Sequence, residues 1–219
     1  MKYVISLGGS VIIPSDIDIN FLSEFSAAIK ELSGNNEFSI VCGGGANARR
    51  YVDAARKAGA SDKDADIVGI QATLLNAALV SRFISGNLSA GSPKKAAKKF
   101  GKVPVVSGGY KPGWTTDVDA AVIAKEIGAD ALVNVTNVDH VYDSDPRENP
   151  NAAKIEKISW KDFLKLPAMK RKPGAHYVFD PKAAKICMKS GIKVFVIGST
   201  ISNLKNCLEG KNFTGTTIS

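Results

Sequence analysis

The chain has 219 residues, 44% of them hydrophobic and 23% charged, so it can build a full core as one generous α/β domain or two joined halves. Its formal net charge of +8 suits anionic partners such as nucleotides, phosphates or nucleic acid, or else describes a solvated basic surface. The three cysteines, Cys42, Cys187 and Cys207, are odd in number and lack metal-like spacing, which excludes a disulfide framework or zinc site and points to a reducing compartment. The first residues lack the apolar region of a signal peptide. The most apolar stretch, 67–84, is interrupted by Gln71, Thr73, Asn76 and Arg82 and is too polar to span a membrane, so the reading is a cytoplasmic protein.

Residues 3–7 read as a buried strand. Phe21, Leu22, Phe25, Ala28, Ile29 and Leu32 recur at helical spacing and predict a helix over 21–32, capped by Asn20 and closed by Gly34. A strand over 38–42 and a helix over 46–58, ended by Gly59, come next. Over 62–84 apolar residues lie almost all round a long helix, which either runs through the core or meets another subunit; the subunit contact is the preferred reading. Leu88 fits a short strand, 93–100 a lysine-rich helix, 103–107 a strand, 117–127 a helix and 131–135 a strand. The turn-rich stretch 143–150 marks an internal boundary. Beyond it are a helix at 160–166, a loop at 167–174, a helix at 181–190, a strand at 193–197, a helix at 201–208 and a strand at 214–218. This alternation predicts an α/β fold, a three-layer α/β/α sandwich with a mainly parallel central sheet. Lys94, Lys95, Lys98 and Lys99 read as a solvated helix face. A nucleic-acid surface would want aromatic residues between them.

Four loops fall at or just after the C-terminal ends of predicted strands, where ligands bind in open α/β sheets. They are Gly8-Gly9-Ser10, Gly43-Gly44-Gly45, the run from Gly108-Gly109 through Pro112-Gly113 to Thr115-Thr116-Asp117, and Thr136-Asn137. A triple glycine between strand and helix lets backbone N–H groups approach a phosphate, and the helix N-terminus adds favourable partial charge. Arg49, one turn into that helix, can grip the same anion with two donors. The alternative for any one loop is a tight turn with close helix–sheet packing. Neither the Walker-type phosphate loop nor the dinucleotide fingerprint occurs in the chain.

Together these residues resemble the amino acid kinase family over nearly the whole chain. The most specific part runs Thr136-Asn137-Val138-Asp139-His140-Val141-Tyr142-Asp143-Ser144-Asp145-Pro146, similar to that family's nucleotide-binding segment TNVDGVYTADP. Gly43-Gly44-Gly45 and Gly215-Thr216-Thr217-Ile218 fit as well, and Gly113-Trp114-Thr115-Thr116-Asp117 resembles the acceptor loop of UMP kinases, the archaeal branch in particular. The resemblance implies transfer of a phosphoryl group from ATP to UMP, with Mg²⁺, in pyrimidine nucleotide biosynthesis. It implies that Gly9, Ser10, Gly45 and Arg49 face the ATP phosphates and that Thr136, Asn137, Tyr142 and Asp145 line the adenosine end. Gly44, Asp66 and the loop of Tyr110, Lys111, Pro112, Gly113, Trp114, Thr115 and Thr116 would hold UMP. It further implies a single domain over 1–219, with an acceptor-binding part at about 1–130 and an ATP-binding part at about 131–219. The assembly would be a hexamer built from dimers through the 62–84 helix, with neither nucleic acid nor membrane as partner.

The chain departs from many relatives in carrying Ser6 and Asn137 where they carry lysines, as archaeal UMP kinases also do. Arg49 is then the first choice of catalytic cation and Asp180 matches an aspartate that organises the site in relatives. Lys182 and Lys185 are second choices, or an ordinary exposed helix face. No metal ligands are assigned. A carboxylate at Asp66 can accept both ribose hydroxyls, or can simply complement the helix dipole. Trp114 either stacks on uracil or packs against the loop, and His140 and His176 read as structural or surface residues. Two other functions stay open: a kinase of this fold acting on a small carboxylate or an isoprenoid phosphate, and a non-catalytic protein that stores or senses nucleotide or oxyanion. The first would want an arginine beside Thr115-Thr116 or an apolar acceptor loop, and the loop has neither.

Overall fold

Strand β1 (Lys2–Leu7) runs through the centre of the molecule, in a computed structural model that describes residues 1–146, 149–169 and 178–219. Its side chains alternate between two cores. Tyr3, Ile5 and Leu7 enter one and Val4 the other, so the strand is apolar on both faces, as a parallel-sheet strand must be. The short helix α1 (Gly9–Ile12) leads to α2 (Ile19–Leu32), β2 (Glu37–Cys42) and α3 (Gly45–Lys57). Helix α2 begins earlier than predicted because Asp18, not Asn20, caps it: the Asp18 carboxylate accepts from the Phe21 amide at 2.9 Å. Ser33 rather than Gly34 is the C-terminal cap. Phe25 and Ile29 on its inner face are fully buried, and truncating such a phenylalanine costs about 3–5 kcal/mol.

Helix α4 (Asp62–Phe83) starts at Ser61, whose hydroxyl accepts from the Asp64 amide. One face, made of small residues such as Ala72, Thr73, Asn76 and Ala77, lies buried against the sheet and α3. The opposite face leaves Leu75 66% and Ile67 42% exposed, near Tyr51 of α3 at 62%. The buried face matches the core reading of this helix, and the other face carries exposed apolar side chains.

The chain continues through β3 (Asn87–Leu88), α5 (Pro93–Lys98), β4 (Val105–Ser107), α6 (Thr116–Ile127) and β5 (Ala131–Val135). The α5 lysines are exposed, as a solvated face requires. The stretch expected to be a boundary falls in sequence between β6 (Val141–Tyr142) and β7 (Lys154–Ile155), which pair antiparallel. No division of the sheet occurs there, because β5 pairs with β1 on one side and β9 (Lys193–Ile197) on the other. Strand β8 (Lys157–Ile158) was not foreseen, being too short to show a period. Helix α7 (Trp160–Phe163) stops before a 3₁₀ turn at Pro167–Met169, and α8 (Pro181–Lys189), α9 (Ile201–Leu208) and β10 (Gly215–Ile218) complete the fold.

Among the described residues the main sheet has the order β3-β4-β2-β1-β5-β9-β10-β8. Its pairs are parallel except β10 with β9. Helices α2, α4 and α9 cover one face and α5 to α8 the other, giving the three layers. Cys42, Cys187 and Cys207 are all buried free thiols. No helix among the described residues is long and apolar enough to cross a membrane.

Candidate active site

The strands β1, β2, β4 and β5 all point their C-terminal ends at the same edge of the sheet. The loops that leave them meet there. Gly9 lies against the triple glycine so closely that a Cβ on it would fall 2.0 Å from the Gly45 nitrogen. Gly45 itself has φ +65°, a left-handed conformation that favours glycine. The packing reason for these glycines is thus real, and it also brings the starts of α1 and α3 together. Helix α3 begins at Gly44 with no side-chain cap, leaving its first turn to an anion. Asn76, buried in the middle of α4, fixes the loop by donating to the Gly43 and Gly44 carbonyls at 2.7 and 3.2 Å.

A cavity of about 480 Å³ opens beside these loops, a size suited to a nucleotide. Ser10, Arg49, Thr136, Asn137, Tyr142 and Asp145 line it, so six residues expected at the ATP end come together in one place. Gly9 and Gly45, also expected there, pack against each other and do not line the cavity. Apolar walls come from Val138, Val141, Leu166, Met169 and Val178, which sequence reasoning did not assign. These walls suit the face of a base and are drawn from segments too far apart in sequence to form a pattern. The hairpin that carries Tyr142 is braced at Asp139, whose carboxylate accepts from the Lys154 ammonium at 2.6 Å and the Tyr142 hydroxyl at 2.8 Å. Lys154 foremost, then Tyr142 and His140, holds the Asp139 carboxyl far below the usual carboxylate range despite partial burial. His140 is buried with its Nδ1 3.4 Å from the same carboxylate, a structural position, while His176 lies outside the described residues.

The loop expected to hold the acceptor is fixed at four points. Gly109 donates its amide to the Thr73 hydroxyl at 2.7 Å, and Tyr110 donates to Asp119 at 3.2 Å. Gly113 donates to Asp66 at 2.8 Å, and the Thr115 hydroxyl donates to Asp180 at 3.0 Å. One oxygen of Asp66 therefore anchors the loop from α4, a contact that neither sequence reading named. Trp114 is half-buried and packs against the second core. Tyr110, Lys111 and Gly113 are exposed along the loop, with Pro112 and Thr116 partly covered.

Where the loop meets α8, two carboxylates and two hydroxyls form a chain of bonds. Ser6 donates to Asp117 at 2.8 Å, the Asp180 amide donates to the other Asp117 oxygen at 3.1 Å, and Asp180 caps α8 by accepting from the Lys182 amide at 2.6 Å. Ser6, at the position where many relatives carry lysine, thus serves as the partner of Asp117. Burial pushes the pKa of Asp117 up to about 6 and that of Asp119 up to about 7, against the hydrogen bonds that pull each down. Sequence reasoning missed both because acids in the first turn of a helix are ordinary. Lys182 is exposed with its ammonium 5.5 Å from the Trp114 ring, and Lys185 lies on the open face of α8. No group of three His, Cys, Asp or Glu among the described residues could cage a metal ion.

The profile of the amino acid kinase family matches residues 1–198. A uridylate kinase of Pyrococcus abyssi is 41% identical over 225 residues, covering 100% of this chain and 99% of its own. A uridylate kinase of Archaeoglobus fulgidus is 38% identical over 215 residues, covering 96% and 97%. The crystal structure of uridylate kinase from Archaeoglobus fulgidus superposes with a TM-score of 0.86 at 38% identity, over 100% of both chains. A UMP kinase structure from Bacillus anthracis, 20% identical, shares the fold at a TM-score of 0.82 over 100% of this chain and 95% of that one. On its sequence over the full length, and on the sheet and loops just described, the chain belongs to the amino acid kinase family.

Proposed function

We propose that the chain is a UMP kinase, which transfers the γ-phosphoryl group of ATP to UMP and yields UDP and ADP for pyrimidine nucleotide synthesis. The observation that carries this reading is the junction at Asp180. Val178 lines the nucleotide cavity, and two residues later Asp180 accepts from Thr115 of the acceptor loop. Donor and acceptor sites so joined favour in-line transfer, for which positioning and charge supply most of the catalysis. Full-length similarity to proteins called uridylate kinase supports UMP as the acceptor.

In this reading residues from about 131 onward hold the adenosine, with Ser10 and Arg49 crossing over to the phosphates. Residues before about 130 hold UMP through Gly44, Asp66 and the loop 110–116. Mg²⁺ would enter on the ATP phosphates, since such ions rely on one or two carboxylates plus substrate oxygens, and Asp180 is the carboxylate at the junction. It would neutralise charge on the transferring group. The exposed apolar positions Leu75, Ile67 and Tyr51 suit a subunit seam of the kind a hexamer of dimers would use, in a protein working in the cytoplasm. A coupled ADP-release assay across UMP, CMP, acetylglutamate and isopentenyl phosphate tests the assignment. UMP should be the preferred acceptor. Turnover of another acceptor with none of UMP would sink it, and ATP binding with no turnover at all would favour the sensor.

A further inference from the structure

Two ammonium groups gather on one aromatic ring beside the junction. Lys111, on the acceptor loop, places its Nζ 4.1 Å from the Trp114 ring centre, and Lys182, in the first turn of α8, places its own at 5.5 Å. Neither makes an ion pair with a described residue. The nearby Asp180 accepts from Thr115 on one oxygen and from the Lys182 and Ala183 amides on the other, and pairs with neither ammonium. The Lys111 charge acts on Asp119 without an ion pair, and the ring's attraction balances only part of the positive charge gathered around it. An anion accepting from both ammoniums would balance the rest. A ring is also a suitable holder: it fixes each cation while leaving its N–H donors free, which a carboxylate would not.

The placement is specific. Lys182 lies four residues after Val178, which lines the cavity, and two after Asp180, which accepts from Thr115 of the acceptor loop. Among the described residues that line the cavity, Arg49 is the one cation. Ser6 leaves the first strand without the lysine many relatives have, and transfer between two anions needs more positive charge than one arginine supplies. Resting on the phosphotransferase reading above, we propose that Trp114 holds Lys111 and Lys182 as a paired clamp for the acceptor's phosphate group.

The test is steady-state kinetics and UMP titration on K111A, K182A, the double variant, K182R, W114L and, as a control on the same helix, K189A. Each single lysine loss should raise KM and Kd for UMP about tenfold and the double variant about a hundredfold, the size of charge-assisted hydrogen bonds. KM for ATP should stay within about twofold, because the clamp is read as uniform acceptor binding. K182R should recover most of the loss and W114L should fall between wild type and the double variant. Unchanged UMP binding in the double variant overturns the clamp, as does a rise confined to ATP, or an equal effect from K189A. If the wild-type chain turns over UMP while the double variant keeps its KM, the clamp fails and the kinase reading stands. If the wild-type chain uses a different phosphorylated acceptor, UMP is wrong and the same thresholds on that acceptor's KM decide the clamp.

Discussion

Asp119 is a carboxylic acid with 1% of its surface exposed. One oxygen accepts from the Tyr110 amide at 3.2 Å, and the other has no partner among the described residues. Burial outweighs that bond and the Lys111 charge, and its pKa rises from 3.8 to about 7. Between those values the unfolded chain has released this proton and the folded chain still holds it. The folded state therefore binds more protons, and stability falls as pH rises until it levels off above the folded pKa. Each pH unit in that window costs about 1.4 kcal/mol, so the loss from pH 5 to pH 8 is about 2–3 kcal/mol. Asp119→Asn removes this dependence while keeping an acceptor for Tyr110. Its new amide nitrogen lacks a partner and costs about 1–3 kcal/mol at every pH, so the readout is the slope and not the absolute stability. Urea unfolding of both proteins at pH 5, 6, 7 and 8 should show the difference moving in the variant's favour by about 2–3 kcal/mol. Asp117 titrates in both proteins and cancels. A difference that stays flat with pH, or moves towards the wild type, refutes the buried-acid account.

Gly9→Ala would drive a methyl group to 2.0 Å from the Gly45 nitrogen, so the loops must part; melting should reveal a loss of at least about 1–3 kcal/mol together with loss of turnover, and a variant with wild-type melting would contradict the contact. Arg49→Ala should lower kcat/KM for ATP by about a hundredfold or more, with Arg49→Lys restoring only part, because a single ammonium cannot reproduce the two-donor grip. Asp66→Ala frees Gly113 and should raise KM for UMP about tenfold with KM for ATP unchanged; a matching rise for both substrates would place Asp66 elsewhere in the cycle.

Much of this architecture is visible in the residue pattern because the strands are buried on both faces and their apolar runs stand out between glycine loops. The gathering of Ser10, Arg49, Thr136, Asn137, Tyr142 and Asp145 could be anticipated from the resemblance to the family's motifs, and Ser10, Arg49, Thr136 and Asn137 also lie on segments that leave strand ends at one sheet edge. What stayed hidden depends on contacts between distant segments. Asp117 looks like any first-turn acid until Ser6, 111 residues away, is found bonded to it. Asn76 looks like a polar interruption of an apolar helix until the Gly43 carbonyl is seen against it. Strands of two residues, such as β6, β7 and β8, carry no periodicity, and Asp and Asn are equally good caps by residue type, so Asp18 and Asn20 could not be told apart by composition.

The touch between Gly9 and the triple glycine has a further result. Main chain meets main chain there, so no rotatable side chain lies in the gap. The spacing of the two loops is set by atomic radii and by the pairing of Leu7 with Cys42 one step earlier. Such a stop behaves like a machined gauge: side chains in either helix layer can change size, and the separation of the two loops stays the same.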